Sequence, residues 1–226
     1  MVSKYVNCEG VYSTEKFSTT LTLNEFFENY VEIEKMARYC SLCRNYGTSW
    51  ECPPHTMNVE DYWKQFKNIK VLAVKLNYTH EFRSKSYTHE ELDYIIKNTL
   101  YKERSILKKK LLELEKKFNG QYLFAGRCDL CDKCAKIDGK SCRFPGLKRY
   151  SVESIGSNIQ KATPDLFGFQ LKWIQKDMKI PEYLVNVCAI LYWKNNMNVD
   201  YSSTFCSVFK GLIKMNLNEN RLILIL

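Results

Sequence analysis

Four cysteines carry the clearest chemistry in this chain. Cys128, Cys131, Cys134 and Cys142 fall within fifteen residues, at spacings of two, two and seven intervening residues, and Pro145 follows. A C-x2-C-x2-C run can turn three sulfurs toward one object only if the backbone coils tightly, which is how iron–sulfur clusters are commonly gripped. A zinc site needs four tetrahedral ligands and usually draws them from two separated pairs. The dense run therefore favours a cluster and leaves zinc open. Asp129, Asp132 and Lys133, set between the sulfurs, argue against a buried apolar segment.

A second group lies upstream. Cys40 and Cys43 form a C-x2-C pair, and Cys52 is followed by Pro53 and Pro54. Such a pair at a helix end can clamp one metal from two sides, and Gly47 lets the intervening loop turn sharply. The prolines fix the backbone after Cys52 and withdraw two amide donors; bacterial ferredoxin ligand runs also end in Cys-Pro. The alternative is a set of buried thiols beside a proline turn. The group holds three cysteines, so a fourth ligand must come from Cys8, Cys188, Cys206, His55 or a small molecule.

The ten cysteines are read through their compartment. The first twenty residues contain Lys4, Glu9 and Glu15 and no apolar core of a signal peptide. No run of about 18 apolar residues is present, which predicts no membrane span. The expected location is the cytoplasm, where clustered cysteines indicate metal or redox chemistry rather than a disulfide framework. A net charge of +9 permits an acidic partner. No nucleic-acid module accompanies it, so nucleic acid is not the expected partner. Oligomeric state is not legible.

The elements that position the cysteines follow from periodicity. Residues 1–20 read as short extended or irregular structure. Thr22 to Glu25 forms a capping box, predicting a helix to about Arg38 with Phe26, Phe27, Tyr30, Val31, Ile33 and Met36 on its apolar face. Asn58 and Asp61 cap a short helix to about Phe66, and Ile69–Tyr78 is a buried strand. Residues 79–87 read as a loop. Thr88 to Glu91 is a second capping box, opening one long helix to about Phe118 whose apolar face includes Leu92, Leu107, Leu111 and Leu114. Asn119-Gly120 stops it. A short strand, Gln121–Ala125, feeds the main cysteine run. A helical turn is expected over 151–156, a helix with Thr163 as N-cap and Pro164 at its first position to about Met178, and a last strand over Tyr183–Trp193 with Cys188 in the core. The predicted class is α+β, one compact domain over 1–226, with a small mixed sheet packed against helices and two cysteine-rich metal loops.

Taken together, Cys40-x2-Cys43-x2-Tyr46-Gly47-x2-Trp50-x-Cys52-Pro53-Pro54, Ala125-Gly126-x-Cys128-x-Leu130-Cys131-x2-Cys134, Cys142-Arg143-x-Pro145 and Arg149-x-Ser151-x-Glu153-x2-Gly156 resemble the DUF2284 family of predicted metal-binding proteins. The resemblance covers roughly residues 30–193, in order. It implies metal binding at the same cysteines and brings no reaction with it. Residues 194–226, including Cys206, fall beyond the family pattern and receive no role.

The favoured reading is a 4Fe–4S protein. Cys128, Cys131, Cys134 and Cys142 ligate one cluster, and Cys40, Cys43 and Cys52 hold a second or complete the first. Its role is electron transfer or redox support, with catalysis at an open iron as an extension. Lys133, Lys136, Arg127 and Arg143 near the loop suit an acidic redox protein or partner enzyme. The alternative is a zinc-stabilised (Zn2+) binding or assembly module without redox chemistry. A thiol–disulfide enzyme needs its low-pKa cysteine at a helix N-terminus, whereas Cys40 and Cys43 follow a helix. Arg143, Arg149 and Glu153 are candidates for contact with the bound group, Arg149 and Glu153 as a pair or as parts of a pocket; a structural ion pair between those two is the simpler reading. Tyr46 and Trp50 are expected to pack over the first cysteine loop.

Overall fold

A computed structural model describes residues 6–193. Its frame is a four-stranded sheet of order β1-β2-β4-β3, made of Tyr12–Thr22 (β1), Asn68–Tyr78 (β2), Gln121–Leu123 (β3) and Tyr183–Tyr192 (β4). Every ladder is antiparallel: Tyr12 lies opposite Tyr78, Asn68 opposite Tyr192 and Leu123 opposite Ala189. The α+β class stands. The expected mixed sheet is antiparallel instead, and the described parallel pairing is an isolated bridge between Phe124 and Ser151.

Both faces of the central strands are covered, which explains the nearly continuous apolar runs of β2 and β4. One face presents Ile69, Val71, Ala73, Val187, Ala189 and Leu191 to Phe26, Trp63, Ile155 and Ala162. These belong to or flank helices Leu23–Tyr30 (α1), Val59–Lys64 (α3) and Ile159–Phe167 (α7) and the 3-10 turn Glu153–Ile155. The opposite face receives helices His89–Asn98 (α5) and Leu100–Phe118 (α6), whose Ile95, Leu107 and Leu111 are fully buried. Two further helices are Ile33–Ser41 (α2) and the single turn His80–Arg83 (α4), the latter inside the expected loop 79–87.

Four local expectations are corrected, each for a tertiary reason. The segment before Thr22 contains an eleven-residue strand. As an edge strand it is largely exposed and polar, so it shows no buried period. The first helix is two helices, because the chain is extended at Val31, which bridges Ser157 while Glu32 N–H donates to Gly156 C=O at 2.8 Å. The long helix is broken at buried Thr99, whose hydroxyl meets Tyr78 Oη at 2.8 Å and Ile95 C=O at 2.8 Å. The capping box at Thr88 is formed in full. Finally, Asn158 rather than Thr163 caps α7, Pro164 lies inside it, and left-handed Gly168 ends it. Residues 169–178 are not helical; Phe169 packs against Phe17 of β1 with ring centroids 4.9 Å apart.

Gly156 shows how tightly α2 is seated. Its φ is +95°, and a Cβ there would lie 2.8 Å from Ile33 Cγ1 and 3.0 Å from Ile33 Cα. Gly156→Ala is expected to cost about 2 kcal/mol, combining left-handed strain with a clash against backbone. Denaturant unfolding measures the loss, and because α2 carries Cys40, retained metal should fall with it. The tail 194–226, with Cys206, lies outside the described residues.

Candidate metal centre

The two cysteine loops leave the frame at different places and meet. The first follows α2: Cys40 sits in its last turn, Cys43 in the turn beyond, and Cys52 before the cis Pro53–Pro54 bond. The second leaves β3 through Phe124 and Ala125, which are buried, and returns at Ser151. Between them, Ala135 is the buried apolar residue of the loop. The loop therefore has little core of its own.

Cys128, Cys131, Cys134 and Cys142 all line one cavity. Each is partly buried and each is a free thiol. Among the described residues, no three His, Cys, Asp or Glu side chains converge on a point that could hold a single metal ion. Arg143 lines the same cavity and its guanidinium donates to Lys133 C=O at 2.7 Å, fastening the turn that carries Cys131 and Cys134.

Cys40, Cys43 and Cys52 form a second neighbourhood. Burial pushes the Cys52 thiol up to about 11, with Glu51, Cys43 and Cys40 adding to the shift. Cys40 is raised by burial, then by Glu153 and Cys43. Of the candidates for a fourth ligand, His55 Nε2 lies 2.7 Å from Ser154 C=O. Cys188 is fully buried in β4, opposite Leu72. Cys8 lies near Lys102, Tyr12 and Tyr78.

The two loops are joined by residues that the sequence reading did not single out or placed differently. Lys136 Nζ donates to three carbonyls of the first loop, Ser49 at 3.2 Å, Cys52 at 2.9 Å and Pro54 at 3.0 Å, and sits 5.3 Å from the centre of the Trp50 ring. Trp50 does not merely cover its own loop. It lines the second group's cavity, and its Nε1 donates to Lys140 C=O at 3.0 Å. Tyr46 stays exposed. Lys136→Met, which leaves three carbonyls without their cationic donor, is expected to destabilise the fold by about 2 kcal/mol. Unfolding experiments read that cost, and loosened contact between the loops should appear as faster proteolysis within residues 126–150.

Glu51 is the buried acid of the site, 4% exposed. It lines the cavity, faces the Cys128 thiol, and accepts Arg149 N–H at 3.2 Å through Oε1, while Oε2 has no hydrogen-bond partner. Burial raises its carboxyl to about 7, against the pull of the Arg149 amide and Cys128. Burial likewise pushes Cys128 up to about 12, with Glu51 adding to it. Nothing in the sequence marks Glu51 except its place between Trp50 and Cys52.

Arg149 and Glu153 do not pair. Arg149 forms a two-pronged ion pair with Glu115 of α6, its Nε 2.8 Å from Oε2 and its second guanidinium nitrogen in contact with Oε1. Glu153 belongs to the other loop's surroundings. It is held up by burial, with Ser151 and Arg104 opposing, and its Oε2 has no partner. Separation explains the difference: Glu115 lies 34 residues from Arg149, whereas Glu153 is merely its sequence neighbour.

Among the described residues, no helix is long and apolar enough to cross a membrane. The sequence model of a family described as "Predicted metal-binding protein (DUF2284)" matches residues 28–191. No curated protein and no solved structure matches.

Proposed function

The chain belongs to the DUF2284 family of predicted metal-binding proteins, and from that premise we propose that it is an iron–sulfur protein with a redox role. Cys128, Cys131, Cys134 and Cys142 are the thiolates that hold a 4Fe–4S cluster. The observation that supports the reading is the C-x2-C-x2-C run with Cys142 seven residues on, together with the placing of all four cysteines on one cavity. A cluster takes one thiolate on each of four irons, whereas tetrahedral zinc draws four sulfurs to within about 2.3 Å of one centre. When bound, such a cluster supplies one-electron transfer, at a potential set by nearby charge, hydrogen bonds and exposure.

The chain's own residues prepare that site. Trp50 walls off the cavity, and Arg143 and Lys148 give its rim positive charge that favours an anionic thiolate centre. Lys136 fixes the distance between the loops. Cys40, Cys43 and Cys52 are the ligands of a second centre, which leaves a coordination position for another group. All nine described cysteines are free thiols, which fits a reducing cytoplasm. An acidic redox protein or partner enzyme would meet the basic rim at Arg143 and Lys148, since Lys133 is paired with Asp138 and Lys136 is spent within the loops.

Protein purified strictly without oxygen tests the reading through its iron, zinc and acid-labile sulfide content and its absorption spectrum. About four or eight irons per chain, matching sulfide and a broad band near about 400 nm are expected. Zinc without sulfide or visible absorption would overturn the redox role and leave a zinc-stabilised assembly module.

A further inference from the structure

A cleft of about 890 Å³ opens beside both cysteine loops. Arg44 reaches it from the first loop, Arg127 from the second, and Lys97, Lys102 and Arg104 from α5 and α6. One acid, Asp129, shares the wall, and Lys108 already holds its carboxylate. Arg44, Lys97, Lys102 and Arg127 are exposed, and none of the ion pairs among the described residues engages them.

Arg104 is the anchored member. Its guanidinium donates to Ala125 C=O at 3.1 Å and lies 4.1 Å above the centre of the Tyr101 ring, while its buried Nε has no hydrogen-bond partner. Gly126, at φ +69°, makes room for it, since a Cβ there would lie 2.6 Å from the guanidinium nitrogen. The left-handed backbone there is what calls for glycine, and it carries the second cysteine loop past Arg104.

Five cations around one concavity repel one another, and walls of low dielectric strengthen the field inside. An anion relieves that repulsion. Guanidinium groups match phosphate and carboxylate by paired hydrogen bonds. The volume is that of a small-molecule site, and a concave cleft suits a small molecule better than the flat face of an acidic protein. We propose that this cleft binds a compact polyanion, a small molecule bearing phosphate or several carboxylates, held between the two cysteine loops. The assignment does not depend on which metal the cysteines carry.

Titration calorimetry of the full chain, purified without oxygen, tests it with inorganic pyrophosphate, citrate and polyglutamate as separate probes. Pyrophosphate, citrate or both are expected to bind at about one per chain, and which of them binds separates phosphate from carboxylate recognition. Lys97→Ala/Lys102→Ala should weaken that binding by about tenfold, the loss of two charged contacts. Lys116→Ala/Lys117→Ala removes the same charge at the last turn of α6 and should weaken it by less than about twofold. Absence of binding by both small anions, equal weakening by the two double variants, or binding of polyglutamate alone would overturn the assignment.

Discussion

Replacing Cys128, Cys131, Cys134 or Cys142 singly with alanine is expected to empty the centre proposed for those four cysteines, taking iron from about four per cluster to none. Cys8→Ala and Cys188→Ala should leave the metal held by these four cysteines unchanged, because neither lines their cavity. The expected loss is complete rather than graded because the loop has almost nothing else to hold it. Between Gly126 and Tyr150, Ala135 alone is buried among the described residues. On the proposed ligation, metal–thiolate bonds would supply the folding energy that an apolar core otherwise provides; for structural zinc the apparent binding energy is about 10–16 kcal/mol. The sheet has its own core on both faces, so circular dichroism should retain most of the ordered signal. Proteolysis should instead open residues 126–150. A variant that keeps a full complement of metal would remove its cysteine from the ligand set; one that loses the sheet as well would show that the metal supports the whole fold.

The two cysteine groups stand out in the sequence because metal ligation would call for sulfurs at short fixed spacings. The strands β2 and β4 were legible for a related reason, since burial on both faces leaves an unbroken apolar run. Edge position hid β1, because Thr14, Glu15 and Lys16 face solvent and interrupt any period. The helix break at Thr99 depends on Tyr78, a residue of a strand 21 positions earlier, so no local pattern announces it. Pro164 misled because proline is common at a first helical position, and the competing cap at Asn158 lacks an acidic partner three residues later. The cavity lined by the four cysteines required tertiary knowledge in a stronger sense. Glu51 and Trp50 come from one loop and the four cysteines from the other, and the register between loops is set by Lys136 and by backbone carbonyls that a sequence does not display.

The Glu115–Arg149 pair gives the second large effect. Both side chains are half-buried, 14% and 13% exposed, and the contact is two-pronged. Glu115 Oε2 also accepts Tyr122 N–H at 2.9 Å, and the Arg149 guanidinium lies 5.4 Å from the centre of the Tyr122 ring. The pair therefore ties α6, β3 and the exit of the second cysteine loop together. One sequence signal for it existed: Glu115 stands four residues after buried Leu111 and beside buried Leu114, so a charge falls near a buried face. Arg149→Met leaves the half-buried Glu115 carboxylate without its cation and is expected to cost about 2–3 kcal/mol. Arg149→Lys should recover only part of this, since an ammonium cannot form both prongs. Glu115→Leu/Arg149→Met removes both charges and should be more stable than Arg149→Met alone, although it leaves Tyr122 N–H without its acceptor. Denaturant unfolding of the wild type, Glu115→Leu, Arg149→Met and the double variant closes the cycle and gives the coupling. Because the Arg149 amide also holds Glu51 against the cysteine cavity, metal content separates the roles: the double variant should keep its metal if the side chain only braces the frame. Loss of metal in a double variant of restored stability would instead show that the Arg149 side chain itself is needed to form the centre.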